Sequence, residues 1–365
     1  MRLPFKKKPG GAQREDARPS VQASDGRFTS FLDYIRGKTV YLALSGGGLA
    51  LVCHIAVLRF LEEQNIEVEK IFGTSAGAVI GGFYAAGVNA SQLTEAALNL
   101  RDPDEVFGRG SRRMLLRIMT NQIETRFSGS GFRHAAIYDN RRLEAYIEES
   151  LVELGGGIPR LGELERSFSA VSFDIGTGTP LDSDSGKKQV FSKEETPEVS
   201  LKDAIVASIS IPGIFIPKQI GGRYYIDGGT VEHLPVVSAF EHWIKTRKNK
   251  REHLVILAVD LGYLGETLNE KDKISPLDMI LYAFNLRGKQ ITQYSLLRIH
   301  EPKNGCSVVL LKPRCYDINL TDFDKIPGAL EKSYRNIQQQ LEGDNFLKET
   351  EEDIYKVRRL LGISI

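Results

Sequence analysis

A serine hydroxyl becomes a nucleophile only when the chain exposes it and a neighbouring base takes its proton. One serine of this sequence has neighbours suited to that task. Gly73-Thr74-Ser75-Ala76-Gly77 follows a short apolar run and precedes a run of small residues, so Ser75 falls at a strand-to-helix turn. Glycines two residues to either side relieve the crowding of a sharp turn, and a helix starting beyond the serine favours developing negative charge. The chemistry that suits this arrangement is attack on an acyl carbonyl. Glycine-x-serine-x-glycine also occurs in plain turns; the flanking strand and helix argue for a nucleophile.

The base is less obvious. The order serine, carboxylate, histidine used by many hydrolases would be filled by Ser75, Asp260 and His300. Yet none of the six histidines, His54, His134, His233, His242, His253 and His300, stands in a glycine-punctuated turn, and each reads as a structural or surface residue. Asp227 is better placed. Tyr224-Tyr225-Ile226 delivers it to a strand end and Gly228-Gly229 turns the chain tightly away. A carboxylate of ordinary pKa, about 3.9, is a weak base, so its site has to desolvate it. Taken alone, Asp-Gly-Gly also reads as an ordinary loop.

A third element, Ser45-Gly46-Gly47-Gly48, ends another apolar run. The amides of Gly46, Gly47 and Gly48 are unhindered by side chains and could donate to an oxyanion, each such donor contributing about 2.7–4 kcal/mol to a transition state. The rival reading is a phosphate-cradling dinucleotide loop with Glu67 or Glu69 on a ribose. That fingerprint fails at its last glycine, where Leu51 stands, and gives Ser75 no role.

The elements that position these residues follow from the apolar pattern. Strands are expected at residues 40–44, 68–72, 169–173, 188–191, 224–226, 254–260 and 307–311, most of them separated by helical segments, as in a largely parallel sheet covered on both faces. Residues 40–58 carry no charge, but the glycines at their centre argue against a membrane span. In residues 112–123, Arg112, Arg113 and Arg117 alternate with Leu115, Ile118, Met119 and Ile123. This pattern reads first as a helix with solvated arginines, and second as a lid or a contact with a membrane surface.

Composition sets the frame. With 365 residues, 41% hydrophobic, there is material for one large core, and a net charge of +1 gives no field to steer nucleic acid. Cys53, Cys306 and Cys315 lack the spacing of a metal site or disulfide framework and read as reduced thiols of a cytoplasmic protein. The division expected is a basic mobile tail over residues 1–38, a catalytic α/β domain over 39–265, and a mainly helical part with one further strand over 266–365, packed on the same domain.

Taken together and in this order, the three glycine-rich elements resemble the patatin-like phospholipase family. Residues 45–48 with Cys53-His54-Ile55-Ala56-Val57-Leu58 resemble its oxyanion block, residues 73–77 its nucleophile elbow, and Asp227-Gly228-Gly229 its Asp-Gly-Gly/Ala motif. Residues 207–217 resemble the segment ahead of that aspartate, and the likeness runs over about residues 39–262. It departs at Leu49-Ala50-Leu51, where the family usually has a small residue, Arg or Lys, then Gly. The resemblance implies a three-layer α/β/α sandwich with a largely parallel central sheet and a Ser75–Asp227 dyad. It further implies hydrolysis of lipid or lysolipid acyl esters with neither metal nor other cofactor, and peripheral membrane contact. The alternative, motivated by the departure, is a lipid-binding or regulatory protein of the same fold with little turnover.

Overall fold

A computed structural model describes residues 26–107, 140–177, 185–249, 252–262, 276–300, 305–314, 318 and 322–362. At its centre lies β1 (Thr39–Leu44), whose uncharged run TVYLAL is buried beyond its first residue. β2 (Lys70–Thr74) and β3 (Ser167–Gly176) lie to one side, β7 (Leu254–Val259) and β8 (Cys306–Leu311) to the other, all parallel. Such continuous apolar runs suit strands covered on both faces. β3 also carries antiparallel partners, β4 (Lys187–Ser192) over residues 169–174 and β6 (Arg223–Asp227) on its second half, with β5 (Lys218–Ile220) beyond β6.

Alternation along each strand sends side chains to two layers. Leu42, Leu44 and Ile71 pack beneath α2 (Val52–Glu63), α3 (Ala76–Ala85), α4 (Ala90–Asn99), α6 (Arg141–Gly155), α7 (Leu201–Ile209) and α10 (Ile326–Leu341). Tyr41, Ala43 and Phe72 face the opposite layer, where α8 (Val236–Thr246), α9 (Pro276–Ile299) and α11 (Lys348–Leu361) contribute Trp243, Leu296 and Ile354. The result is the expected three-layer α/β/α sandwich. Leu42 and Leu44 are wholly buried, and each such side chain contributes about 1.5–3 kcal/mol.

Several boundaries differ from the apolar pattern. The second strand lies two residues further along than expected, because Gly73 and Thr74 pair with Ala170 and Val171 rather than forming a turn. β5 has only three residues and is too short to show alternation. The basic tail ends earlier than residue 38: α1 (Thr29–Ile35) lies against the core, with Phe28 edge-on to Phe60 at 5.0 Å and Phe31 to Phe346 at 5.7 Å. A short α5 (Pro103–Phe107) follows α4, and the basic segment 112–123 lies outside the described residues. Residues 306–311 continue the same sheet, in register with β7 at six positions. The outer edge of β8 is covered by Thr350, whose hydroxyl accepts the Leu310 N–H at 2.9 Å and donates to the Val308 carbonyl at 3.1 Å. Cys306 is a buried free thiol, whereas Cys53, expected to be reduced, is disulfide-bonded. No helix among the described residues is long and apolar enough to cross a membrane.

Register brings distant segments together. β4 occupies one edge of β3 over residues 169–174, so β2 and β6 share the other edge. β2 stops where Thr74 pairs with Val171, and β6 takes over where Asp227 pairs with Ser172. Ser75 and Asp227, 152 positions apart in the chain, are thereby delivered to one spot.

Candidate active site

Ser75 joins β2 to α3 with φ 52° and ψ −117°, a conformation a residue with a Cβ holds only under constraint. The glycines make that constraint geometrically possible. A Cβ at Gly77 would lie 2.1 Å from the Leu44 carbonyl oxygen, and one at Gly73 2.5 Å from the Gly77 oxygen. Three hydrogen bonds fasten the turn. The Thr74 hydroxyl donates to the Glu232 carbonyl at 2.9 Å, the Ser75 N–H to the Ser208 hydroxyl at 2.9 Å, and the Gly77 N–H to the Ser45 carbonyl at 3.0 Å. Ser208 is placed by α7, whose start is set where the Ser200 hydroxyl caps the Asp203 N–H at 3.0 Å.

Asp227 ends β6 and is 6% exposed. Its N–H donates to the Ser210 carbonyl at 2.9 Å, and its Oδ1 accepts the Gly229 N–H at 2.6 Å. Gly228 passes so close to β3 that a Cβ there would stand 2.1 Å from the Val171 oxygen. Oδ2 is buried and receives no hydrogen bond of full geometry. Burial raises the Asp227 pKa to about 6, while the nearby Ser75 hydroxyl and the Gly229 N–H pull it back downward. Ser75 thus lies beside the carboxylate and acts on its charge.

The three candidate oxyanion donors are not equivalent. The Gly46 N–H is committed to the His233 carbonyl at 3.1 Å, which removes it from the set. The Gly47 and Gly48 N–H groups have no acceptor among the described residues, and Gly48 borders the cavity beside Ser75. The Ala76 N–H joins them, also without an acceptor among the described residues and also on the cavity wall. Its signal was available: it follows the candidate nucleophile Ser75 and opens a helix, where amides have no intrahelical partner.

Among the described residues no histidine joins Ser75 and Asp260 in a triad, and His134 lies outside them. His300 accepts the Val308 N–H at 3.0 Å, at the level of Lys70. Ser75 is five strand residues further along, about 16 Å away by strand rise. His54 contacts the Ser45 carbonyl at 2.9 Å, and burial lowers its pKa to about 4, so it stays neutral. His233 packs against the glycine loop, its Cε1 2.9 Å from where a Gly46 Cβ would stand, with Nε2 3.2 Å from the Gly262 carbonyl. Burial holds its pKa down. It buttresses the loop.

Ser75 opens into a cavity of about 190 Å³ between α3, α4 and α6. Val79, Ile80 and Phe83 line it from α3, Leu93 and Ala97 from α4, and Leu143 and Ile147 from α6. Leu49 and Leu51, at the departure from the family pattern, add further apolar wall. No charged side chain lines this cavity among the described residues, so it suits a hydrocarbon chain. Nor do three or more His, Cys, Asp or Glu side chains gather to hold a metal there or elsewhere among the described residues.

The sequence profile described as Patatin-like phospholipase matches residues 42–240, more than half the chain. The chain belongs to the patatin-like phospholipase family. It is 26% identical over 321 residues to an uncharacterised NTE family protein of Mycobacterium bovis, covering 84% of this chain and 47% of that protein. It is 24% identical over 340 residues to lysophospholipase NTE1 of Debaryomyces hansenii, covering 86% of this chain and 18% of that one. The chain thus spans about half the length, or less, of these curated relatives. Among solved structures, VipD from Legionella pneumophila aligns over 83% of this chain and 66% of its own, at 12% identity and a TM-score of 0.42.

Proposed function

We propose that this patatin-like chain hydrolyses acyl esters of lipids through a Ser75–Asp227 dyad. The observation that carries the reading is a buried carboxylate, raised to about pKa 6, beside a serine held at a strained elbow over an apolar cavity. A base with that pKa is unprotonated at neutral pH yet strong enough to share a hydroxyl proton.

The ester's acyl chain enters the cavity and its carbonyl carbon meets Ser75 Oγ. Asp227 takes the hydroxyl proton as the C–O bond forms, and the carbonyl oxygen, now an alkoxide, accepts from the Gly47, Gly48 and Ala76 amides. The helix α3 terminus adds favourable potential. Collapse breaks the bond to the leaving alcohol, which takes the proton from Asp227. Water then attacks the acyl-Ser75 ester and gives its proton to Asp227. The second collapse frees the fatty acid and returns that proton to Ser75.

Leu49-Ala50-Leu51 removes a cation from the loop, but amide donors need no side-chain charge. A named lysophospholipase among the relatives makes a monoacyl phospholipid the first substrate to try. Wild type is expected to release fatty acid from lysophosphatidylcholine or a short soluble ester. Ser75→Ala and Asp227→Asn are each expected to lose about 10⁴-fold in kcat. Lipid binding with no release from phospholipid, lysophospholipid or short ester would replace the enzyme by a lipid-binding protein of the same fold.

A further inference from the structure

One side chain acts on the peptide of Ser75 itself without reaching the cavity. Ser208, next to last in α7, is wholly buried. Its hydroxyl donates to the Val171 carbonyl at 2.6 Å and accepts the Ser75 N–H at 2.9 Å. A hydroxyl has one proton. With Val171 taking that proton, the lone pairs are left to face Ser75, so the direction of the chain Ser75 to Ser208 to Val171 is fixed. Val171 is also the residue where β2 gives way to β6 on the edge of β3, and the carbonyl against which Gly228 turns. Ser208 therefore ties the nucleophile to the strand that aligns the aspartate.

The other two fasteners of the elbow act on Thr74 and Gly77. Of the three, only the Ser208 bond falls on the N–H of the peptide that precedes Ser75, whose orientation sets φ and with it the direction of the Cα–Cβ bond. A left-handed φ at a non-glycine residue persists where its surroundings over-determine it. We infer that Ser208 is a positioning residue for the nucleophile, holding Ser75 Oγ in line with Asp227; this rests on the reading of Ser75 as nucleophile. Ser333 in α10 is the control. It too is wholly buried, but its hydroxyl donates to the Ala329 carbonyl within its own helix, and it does not line the cavity beside Ser75.

The test is steady-state hydrolysis of a soluble p-nitrophenyl ester, with active sites counted by fluorophosphonate titration and folding followed by thermal melts. Ser208→Ala is expected to lower kcat per titrated site by about 30–100-fold with KM within about twofold. Ser208→Thr, which keeps the hydroxyl, should recover most of that loss, and Ser333→Ala should stay near wild type. If Ser208→Ala does not fold, Ser208→Cys decides: its thiol is a weak acceptor, and kcat per site should still fall. Wild-type kcat per site in the folded Ser208 variants, with Ser75→Ala inactive, would overturn the positioning role alone. Wild-type turnover in Ser75→Ala would overturn the nucleophile reading and this inference with it.

Discussion

At the scale of residues, the burial that makes Asp227 a stronger base in the proposed dyad costs stability. Below about pH 3.8 Asp227 is protonated whether the chain is folded or not. As pH rises the unfolded chain ionises first while the folded one resists until about pH 6, so the folded state loses stability across that window and bears the full penalty above it. The shift from 3.8 to about 6 corresponds to about 3 kcal/mol. Asp227→Asn keeps an acceptor for the Gly229 N–H and removes the buried charge. It is expected to melt a few degrees higher than wild type at pH 8 and no higher at pH 4; equal melting shifts at both values would show that Asp227 carries no such penalty. Ser75 and Asp227 could be singled out in the sequence because glycines mark the tight passages that the structure shows at Leu44 and Val171. The division of labour among Gly46, Gly47 and Gly48 was not, because it depends on the His233 carbonyl, which nothing near the glycines in the chain announces.

At the scale of elements, α3 both presents Ser75, the proposed nucleophile, and forms one wall of the cavity. From Ser75 to Phe83 it rises about 12 Å. That is the reach of an extended acyl group of about ten carbons, each advancing about 1.25 Å along the zigzag. Val79 stands one turn above Ser75 and lines the same space. Val79→Phe is expected to shorten the accepted chain, lowering kcat/KM for a decanoyl ester by at least about tenfold relative to a butyryl ester. A series of p-nitrophenyl esters measures this, and an unchanged chain-length profile would place the acyl group elsewhere. Elements with long apolar runs, such as β1 and β7, were plain in the sequence. β5 was not, since three residues carry no period, and the end of β2 was read two residues early because Gly73 looks like a turn residue. Gly73 is nevertheless in the ladder opposite Leu44 and Ala170, and Lys70, which opens the strand, is buried and paired with Glu194 at 2.6 Å.

At the scale of the whole molecule, the site exists because the loops after β1, β2, β6 and β7 meet at one end of the sheet. The last of these contributes Leu261, whose N–H donates to the Ser45 hydroxyl at 3.0 Å and whose side chain backs Gly47. Sequence patterning named the layers, but strand order is a property of long-range pairing, and only the exchange of β2 for β6 along β3 explains why Asp227 meets Ser75. That exchange also buries the carboxylate and so raises its pKa. The most direct test of the account is the rate at which a small fluorophosphonate modifies the protein between about pH 4 and 9, with the adduct located by peptide mapping. A single adduct on Ser75 is predicted, forming at a rate that climbs with pH through about 6 and then levels, and slowed by several orders of magnitude in Asp227→Asn. An adduct elsewhere, or an Asp227→Asn rate equal to that of wild type, would contradict it.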